Sequence, residues 1–376
     1  MLKISFTGDT MCPLELQEAY ATETGFDFTP AFAAIGPVFS ETDFLVVNLE
    51  TPIAGKDLGY TNERYRFNAP DEFLTAVKDL GADLVTLANN HCMDRNTEGI
   101  VNTLDACQKA DVDAIGIYKT EAENRKIYVK ELSGVKIAFL NYTYGTNAFA
   151  HKLYLPEDKK FMVHLTQAEE LLPGSIHLLQ TEEEIAEQTK ALYEPVTELT
   201  KPYLDRIAED IHRAKEMAEL VIFCLHSGGQ YNPEPEAYTQ MLCKHIQDAG
   251  ADLIVGMHPH LIQSCKPGDI TTVYCPGNFM FSPNTDKDRP LPCDIAYNAI
   301  LHAYIDPEEK CIQKLSFHLA YVEEDEGHHS RVRDTWEIFS ENPDEDLKEE
   351  ILYYVNRFIG KDTYTELQKE YTLWEK

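Results

Sequence analysis

Short apolar runs recur along the chain, and they are rich in Val, Ile, Leu and Phe without strict alternation of polar residues. This composition is typical of strands that are buried on both faces of a sheet. The runs are LKISFT (2–7), FLVVNL (44–49), ADLVTLA (82–88), VDAIGI (112–117), KIAFLNY (136–142), ELVIFCL (219–225), ADLIVG (251–256) and TTVYC (271–275). The pattern therefore predicts eight buried strands.

Helix-length segments with apolar residues three and four positions apart lie between several of these strands. The clearest are EFLTAVKDLG (72–81), NTEGIVNTLDACQKA (96–110) and YTQMLCKHIQDAG (238–250), and the first and third end in a glycine of the kind that caps helices. Strands that alternate with helices over short connections predict an α/β sandwich with a largely parallel centre.

Two regions depart from this alternation. Residues 145–200 read as an insertion that contains the acidic, helix-prone TEEEIAEQTKALYEPV (181–196) and leads into a helix at about 202–218. Residues 297–322 predict two late antiparallel strands. We expect residues 1–325 to form one catalytic domain. The remaining residues, 326–376, are expected to form a helical extension whose apolar stripe packs on that domain.

The charge balance limits the possible partners. The chain carries 33 basic and 64 acidic residues, for a net charge of −31. Such a surface repels phosphate backbones, which argues against nucleic acid as a partner. An anionic substrate would need local positive charge, and bound metal cations are one source of it.

The start of the chain and its cysteines predict a cytoplasmic protein. MLKISFTGDT enters the first strand without the features of a signal peptide, and no apolar run is long enough to span a bilayer. The nine cysteines show no CxxC pair, which indicates reduced thiols. Association with the cell surface would remain open if an N-terminal segment were absent from the sequence.

Polar residues follow the predicted strands at their carboxyl ends. They are Asp9 in TGDTM, Glu50 in VVNLETP, Asn89, Asn90 and His91 in TLANNHCMD, His226 in FCLHSGGQY, His258 and His260 in VGMHPHLIQ, and Asn278 in CPGNFMF. Ligands of parallel α/β sheets bind beyond the carboxyl ends of the strands, so these side chains should converge on one edge. Gly8 and Gly256 would let the backbone turn sharply beside such a cluster.

Carboxylates mixed with imidazoles indicate a particular metal chemistry. This ligand set suits Zn, Mn or Fe better than Ca, which prefers oxygen alone. Six or seven ligands are too many for one tetrahedral ion and fit two ions bridged by a carboxylate and a hydroxide. The pattern therefore predicts two divalent metal ions that activate a hydroxide.

Each feature has an ordinary explanation when taken alone. Gly-Asp after a strand is a common turn, a His-x-His pair is often structural, and Asn89 to His91 could cap the next helix. The shared placement of these residues at one sheet edge favours a common site. The other histidines, including His151, have no such placement and are expected to be structural or solvated.

The motifs GDTM, NLETPI, ANNHCMD, HSGGQYN, GMHPHLIQ and PGNFMF, in this order, resemble the capsule-synthesis CapA family, also called the poly-γ-glutamate biosynthesis proteins. That family in turn resembles the calcineurin-like metallophosphoesterases. The resemblance covers roughly residues 2–320. It implies a four-layer α/β/β/α sandwich with mixed sheets and a dinuclear metal site.

The resemblance also implies roles for the motif residues. Asp9 and His260 would bind the first metal, Glu50 would bridge, and His91 would be the general acid that protonates the leaving group. Asp94 would hydrogen-bond His91 and set its tautomer. The ligands implied for the second metal are Asn90, His226 and His258.

The sequence departs from the related patterns at several positions. Met11 stands where phosphoesterases usually carry the histidine of Asp-x-His. Asn48-Leu49-Glu50 replaces their Gly-Asp, as in the CapA group. Ser227 and Gln230 replace the Trp and Glu of the CapA motif that follows the strand histidine.

Three residues are candidates for substrate binding. Arg64 and Arg66 in NERYRFNAP follow the Glu50 loop, and arginine suits carboxylate or phosphate recognition. A surface salt bridge is the alternative for both arginines. Tyr231 could line the cleft, with core packing as its alternative.

The predicted function is that of a CapA-type metal-dependent hydrolase or transferase in the synthesis or processing of a capsule or poly-γ-glutamate polymer. One alternative is a general metallophosphoesterase that acts on a small phosphate ester or nucleotide. Another is a catalytically degenerate accessory protein that binds polymer. The expected partners are an anionic polymer or a small phosphorylated substrate, and a membrane-bound synthase complex is a further possibility. The oligomeric state stays open.

Overall fold

The computed structural model describes residues 1–169, 200–265, 272–283 and 291–376. Within these ranges fourteen strands form two sheets. The strands are β1 (Leu2–Thr10), β2 (Phe44–Leu49), β3 (Ala82–Thr86), β4 (Asp113–Ile115), β5 (Tyr128–Leu132), β6 (Val135–Thr143), β7 (Leu220–His226), β8 (Leu253–Met257), β9 (Thr272–Val273), β10 (Asn278–Met280), β11 (Tyr297–Asp306), β12 (Cys311–Glu324), β13 (Ser330–Asp334) and β14 (Tyr371–Glu375).

The helices of the described ranges follow the same order along the chain. The α-helices are α1 (Leu14–Ala19), α2 (Thr29–Ala33), α3 (Asp71–Asp79), α4 (Asn96–Lys109), α5 (Glu121–Asn124), α6 (Ala148–His151), α7 (Lys201–Met217), α8 (Ala237–Ala249), α9 (Thr335–Glu341) and α10 (Glu345–Ile359). Short 3₁₀ turns lie at Gly36–Phe39, Lys56–Leu58 and Glu157–Met162.

Both sheets have a parallel half. In the large sheet the order is β13-β12-β11-β1-β2-β3-β4, with β10 beside β1 and β14 beside β12. Strands β1 to β4 run parallel, whereas β11, β12 and β13 are antiparallel. The small sheet has the order β5-β6-β7-β8-β9 and is parallel from β6 onwards. The carboxyl ends of the parallel strands therefore define the edge where a ligand can bind.

The two sheets pack face to face across an apolar core. Phe6 and Val46 of the large sheet share this core with Ile137, Ile222 and Val255 of the small sheet. Each of these side chains is fully buried. Because burial of apolar surface is the main favourable term in folding, this layer holds the two sheets in a fixed relation.

Helices cover the outer face of each sheet. Helices α3 and α4 bury Phe73 and Ile100 against the large sheet, and α7 and α8 bury Ile207 and Ile246 against the small sheet. The order of layers is thus helix, sheet, sheet, helix. The predicted α/β/β/α sandwich with mixed sheets is confirmed.

The C-terminal segment contains more than helices. Its helix α10 buries Ile351, Val355 and Phe358 against the core between the sheets. In addition, β13 and β14 pair with different halves of β12 and extend the large sheet. These two short strands were not predicted, because each pairs along only one edge and carries mixed polar and apolar residues. The division into two domains stays a prediction.

The insertion predicted for residues 145–200 is described in part. Helix α6 and one 3₁₀ turn lie in it, and α7 begins at Lys201, close to the predicted helix at 202–218. The helix-prone stretch 181–196 lies outside the described residues.

Gly8 and Gly256 serve a different purpose from the one predicted. A Cβ at Gly8 would lie 1.8 Å from the carbonyl oxygen of Gly277, and a Cβ at Gly256 would lie 2.0 Å from that of Tyr274. Neither residue has a positive φ. The glycines therefore allow neighbouring backbones to approach closely beside the ligand-bearing edge, and no sharp turn is involved.

Within the described parts of the chain, none of the helices combines the length and apolar character needed to cross a membrane.

A pair of buried histidines in the large sheet predicts how stability depends on pH. His302 Nδ1 lies 2.8 Å from Ser5 Oγ, and His302 Nε2 lies 2.8 Å from His318 Nδ1. Only one proton fits between the two rings, so both cannot be charged. Burial lowers the pKa of His302 well below its ordinary value and lowers that of His318 to about 4.

Because these pKa values are depressed in the folded state, the unfolded chain binds more protons between about pH 6.5 and pH 4. The free energy of unfolding should therefore fall as pH falls through this window. In the His318→Gln variant the free energy of unfolding should decrease less steeply with falling pH, and the slope should differ from that of wild type by up to about 1.4 kcal/mol per pH unit. Denaturant unfolding at several pH values measures this slope.

The control for this measurement is His212→Gln, because His212 is exposed on α7 and its ring faces water in the folded and the unfolded chain. This control should keep the wild-type slope. Equal slopes for wild type and His318→Gln would show that the buried pair does not set the pH dependence.

Candidate metal centre

The strand ends of both sheets place the predicted ligands together. Asp9 lies in β1 opposite Asn48 of β2 and Asn278 of β10, and His226 is the last residue of β7. The residues that follow β2, β3 and β8 supply the remaining side chains. All are buried, with at most 5% of each residue exposed: Asp9, Glu50, Asn90, His91, Asp94, His226, His258 and His260.

Glu50 stands at the centre of the cluster and belongs to two groups of three side chains. Asp9, Glu50 and His260 form one group, and Glu50, His226 and His258 form the other. In each group the three ligand atoms lie within 4.8 Å of one another. Glu50 Oε1 is 3.4 Å from His226 Nε2 and 3.8 Å from His260 Nε2. The two groups share Glu50, and their assignment to two separate metal sites stays a prediction.

Asn90 joins the second group through His226. Its Oδ1 lies 2.7 Å from His226 Nε2, and its Nδ2 donates to Asn147 Oδ1 at 3.1 Å. The amide is therefore held with its oxygen towards the cluster. A carbonyl oxygen in this orientation is a reasonable third or fourth ligand for a divalent cation.

Hydrogen bonds from the surrounding backbone and side chains orient Asp9. Asn48 Nδ2 donates to Asp9 Oδ1 at 2.7 Å, and the backbone N–H of His258 reaches both carboxylate oxygens at 3.3 and 3.1 Å. Asn48 is fixed in turn by Thr86, whose hydroxyl donates to its side-chain oxygen at 3.0 Å.

His260 is oriented in a similar way. Its Nδ1 lies 3.0 Å from Asn278 Oδ1 and 3.2 Å from Asp9 Oδ2. If Nδ1 carries the proton, it donates to these oxygens and leaves Nε2 as a lone-pair donor on the side of Glu50. Such outer partners fix the tautomer of metal-binding histidines.

Burial and neighbouring charges shift the pKa values of several groups in the cluster. Burial raises the pKa of Glu50 well above its ordinary value, and the carboxylates of Asp9 and Asp94 raise it further. Burial also lowers the pKa of His226 to about 3. For Asp9 burial acts in the same direction as for Glu50, but the hydrogen bond and charge of His260 outweigh it, so its pKa is lowered.

Several buried polar atoms of the cluster also lack ordinary partners. Among the described residues none hydrogen-bonds to Glu50 Oε1, Glu50 Oε2 or His226 Nδ1. Buried polar atoms without partners are costly, and native structures retain them mainly where an ion, a water or a catalytic role compensates. Together with the carboxylate, imidazole and amide donors, these atoms form groups that could bind a metal ion.

His91 and Asp94 form a pair next to the cluster. His91 Nδ1 lies 2.7 Å from Asp94 Oδ2, an oxygen that also accepts a hydrogen bond from the backbone N–H of Phe67 at 2.6 Å. His91 Nε2 lies 4.0 Å from Glu50 Oε1, and the His91 ring contacts the Phe67 ring at a centroid distance of 4.3 Å. With Nδ1–H donating to Asp94, Nε2 lies on the side of the ring that faces Glu50.

A small pocket of about 30 Å³ opens beside His91 and His260. Its walls are largely apolar and aromatic and include Met11, Tyr65, Tyr231 and Phe281. Tyr231 thus lies where a substrate-binding residue could act, and Met11 occupies the wall in place of a ligand histidine.

Neither Arg64 nor Arg66 is among the residues that line this pocket. Arg66 Nη2 donates to the backbone oxygen of Asp94 at 3.2 Å, and its Nη1 lies 3.8 Å from Glu63. Arg64 is exposed and lies over the Tyr65 ring, 5.2 Å from its centroid. Substrate binding by Arg64 and Arg66 remains a prediction.

Five residues at or near the site have a strained backbone conformation. Positive φ angles occur at His258 (99°), His260 (62°), Tyr231 (63°), Tyr65 (65°) and Asn147 (53°). Each such angle costs free energy in a residue with a side chain, and residues of this kind cluster at functional sites. The two histidines of the His-x-His motif thus reach the cluster from a strained turn.

Several residues at the site have roles that the sequence did not predict. Asn48 and Asn278 hold Asp9 and His260, Asn147 holds Asn90, and His151 lies 3.8 Å from Asp94. Asn278 was among the residues predicted to lie at this edge, and only its contact with His260 was not predicted. Asn147 and His151 come after the carboxyl end of β6, and the same rule applied to β6 would have found them.

Comparison with known proteins agrees with this architecture. A family model described as "Bacterial capsule synthesis protein PGA_cap" matches residues 3–283. The chain is 27% identical over 286 residues to "Capsule biosynthesis protein CapA" of Bacillus anthracis, which covers 74% of this chain. It is 26% identical over 293 residues to "PGA biosynthesis protein CapA" of Bacillus subtilis (strain 168), which covers 77% of this chain. The matched segments span 60% and 66% of these two relatives.

Proposed function

Because the chain belongs to the bacterial capsule synthesis protein PGA_cap family, we propose that it is a metal-dependent hydrolase or transferase that acts in the synthesis or processing of a capsule polymer such as poly-γ-glutamate. The polymer class comes from the names of the two CapA relatives. The proposal of an enzyme comes from the chemistry of the buried cluster.

One observation carries the proposal: two three-residue ligand groups share Glu50 and lie beside the His91–Asp94 pair. Asp9 and His260 would hold one ion, and Asn90, His226 and His258 would hold the other, with Glu50 between them. When bound, two such ions supply Lewis acidity and lower the pKa of a water that can serve as the nucleophile.

The chain's own residues supply the proton for the leaving group. Asp94 Oδ2 accepts the Nδ1–H of His91 and fixes the tautomer, so the other ring nitrogen faces the cluster. A protonated Nε2 there can donate to the oxygen or nitrogen that leaves. Phe67 packs on the ring and limits the access of water to it.

An anionic substrate needs positive charge that the pocket walls do not supply. No lysine or arginine is among the described residues that line the pocket beside His91. The whole chain carries a net charge of −31. Cations held by the cluster would therefore provide the main attraction for a carboxylate or a phosphate.

Two other functions each have one observation in their favour. The pocket of about 30 Å³ admits a small group, which favours a small phosphate ester as the substrate of a general metallophosphoesterase. Met11 in the pocket wall leaves the Asp9 group with one nitrogen ligand fewer than Asp-x-His would give. That loss favours an accessory protein that binds polymer without turnover.

A metal and substrate survey tests the proposal. The purified chain is loaded with Mn²⁺, its metal content is measured, and hydrolysis of γ-glutamyl polymer, p-nitrophenyl phosphate and its diester is assayed. Metal-dependent cleavage of the polymer that is lost in His258→Ala supports the proposal. Cleavage of the small monoester alone favours the general phosphoesterase. Bound metal without any turnover favours the accessory role.

A further inference from the structure

The segment after β6 contacts the catalytic pair as well as the ligand cluster. Asn147 accepts a hydrogen bond from Asn90, and the backbone N–H of His151 donates to the backbone oxygen of Asn147 at 2.9 Å. Helix α6 thus begins at the contact with Asn90 and ends at His151. This one short segment joins the two halves of the candidate site.

Only one of the two oxygens of the Asp94 carboxylate accepts hydrogen bonds from the described residues. Its Oδ2 accepts hydrogen bonds from His91 Nδ1 and from the backbone N–H of Phe67. Its Oδ1 is buried, and among the described residues none hydrogen-bonds to it. A buried carboxylate oxygen without a hydrogen-bond donor is costly, so a donor placed near Oδ1 would stabilise this orientation of the carboxylate.

His151 lies next to Asp94 Oδ1, the carboxylate oxygen that accepts no hydrogen bond from the described residues. Its Nε2 lies 3.8 Å from Asp94 Oδ1, and its side chain is 15% exposed. One bridging water or a small rotation of the ring would close that distance. Burial lowers the pKa of His151 from its ordinary value, although Asp94 and a hydrogen bond to the backbone of Tyr65 favour the charged ring.

We propose that His151 is a positioning residue that donates to Asp94 Oδ1 and keeps Asp94 Oδ2 on the Nδ1–H of His91. His151 does not touch the reacting atoms in this arrangement. It acts through Asp94, and its effect is to keep the Nδ1–H of His91 on Asp94, so that Nε2 faces the leaving group and carries the transferred proton when the ring is protonated. The inference rests on the proposed function in so far as His91 is the general acid.

Two substitutions separate this role from simple packing. His151→Phe keeps an aromatic ring of similar size and removes the donor, whereas His151→Gln keeps a donor at a similar distance from Cα on a flexible, non-aromatic side chain. His245→Phe is the matched control, because His245 is half-buried on α8 and its ring contacts the backbone oxygen of Leu204, away from the pair.

The first readout is the tautomer of His91 in the metal-free protein. Ring-¹⁵N histidine labelling reports it by NMR, and the spectrum of His91→Gln assigns the signals. In wild type the Nδ1–H form should dominate. In His151→Phe the two tautomers should mix, and in His151→Gln the wild-type form should return. This measurement needs no turnover, so it judges His151 even if the chain proves not to be a hydrolase.

The second readout is the dependence of the rate on the leaving group in the Mn²⁺-loaded protein. Phenyl phosphate needs a general acid more than p-nitrophenyl phosphate does, because its leaving group is more basic. His151→Phe should lower the rate on phenyl phosphate by about 10–100-fold, as outer-shell substitutions typically do, and the rate on p-nitrophenyl phosphate much less. His151→Gln should recover most of the loss.

Two results would overturn the inference. One is a His151→Phe variant that keeps both the His91 tautomer and the ratio of the two rates. The other is an equal loss in His151→Phe and His151→Gln, which would assign the effect to packing. If wild type hydrolyses neither ester, the NMR result alone decides the role of His151, and cleavage of the γ-glutamyl polymer separately decides the proposed function.

Discussion

The Glu50→Gln variant should lose high-affinity binding of both divalent ions. Glu50 is the side chain shared by the two ligand groups, so the substitution removes an anionic ligand from each of them at once. Changes in the outer shell alone typically cost 10–100-fold in metal affinity, and we therefore expect a loss of more than about 100-fold here. Isothermal titration with Mn²⁺ measures it, and hydrolysis should disappear together with the metal.

The same variant should be more stable than wild type when both are free of metal. Glu50 is fully buried, it accepts no hydrogen bond from the described residues, and the carboxylates of Asp9 and Asp94 lie near it. A neutral amide removes this repulsion and part of the desolvation cost, so the free energy of unfolding should rise by roughly 1–3 kcal/mol. Denaturant unfolding in EDTA measures the change.

Glu98→Gln is the matched control, because it makes the same chemical change at an exposed position on α4. It should alter neither metal affinity nor stability. A Glu50→Gln variant that binds Mn²⁺ as wild type does, or that unfolds more easily without metal, would show that Glu50 is not the ligand shared by the two groups.

The His91→Gln variant should keep its metal and lose the protonation step. His91 is hydrogen-bonded to Asp94 and lies beside the two ligand groups without being part of either. Loss of a general acid typically costs 10²–10⁴-fold. We expect a decrease of about that size in kcat on phenyl phosphate and a much smaller one on p-nitrophenyl phosphate, whose leaving group departs unaided. Steady-state kinetics at equal metal content measures both.

The control for this variant is His245→Gln on α8, which should leave both rates unchanged. Equal losses on the two esters in His91→Gln would argue against protonation of the leaving group. Loss of the bound metal in this variant would indicate that His91 is a metal ligand and not the general acid.

The sequence predicted the centre of the fold because its buried parallel strands carry a strong signal. The run FLVVNL was predicted as a strand with the observed bounds, Phe44–Leu49, and the run that ends near Leu225 became β7. Such strands are apolar on both faces, and their carboxyl ends meet at one edge by topology. That rule alone placed Asp9, Glu50 and His226 in one cluster before any contact was known.

Other features carry weak signals in the sequence. Strand β10 has three residues and lies beside β1 through only two paired positions, Asp9–Asn278 and Thr10–Met280. The orientation of Asn147 and His151 depends on tertiary contacts after β6, and no local periodicity encodes them. The close approach at Gly8 is likewise set by a segment that is distant in sequence.

Anomalous diffraction from crystals grown with Mn²⁺ tests the central claim most directly. We predict two manganese peaks about 3.5–4 Å apart on either side of the Glu50 carboxylate. One should contact Asp9 and His260, and the other should contact His226 and His258. A map at saturating Mn²⁺ with no peak within bonding distance of Glu50 would contradict the account.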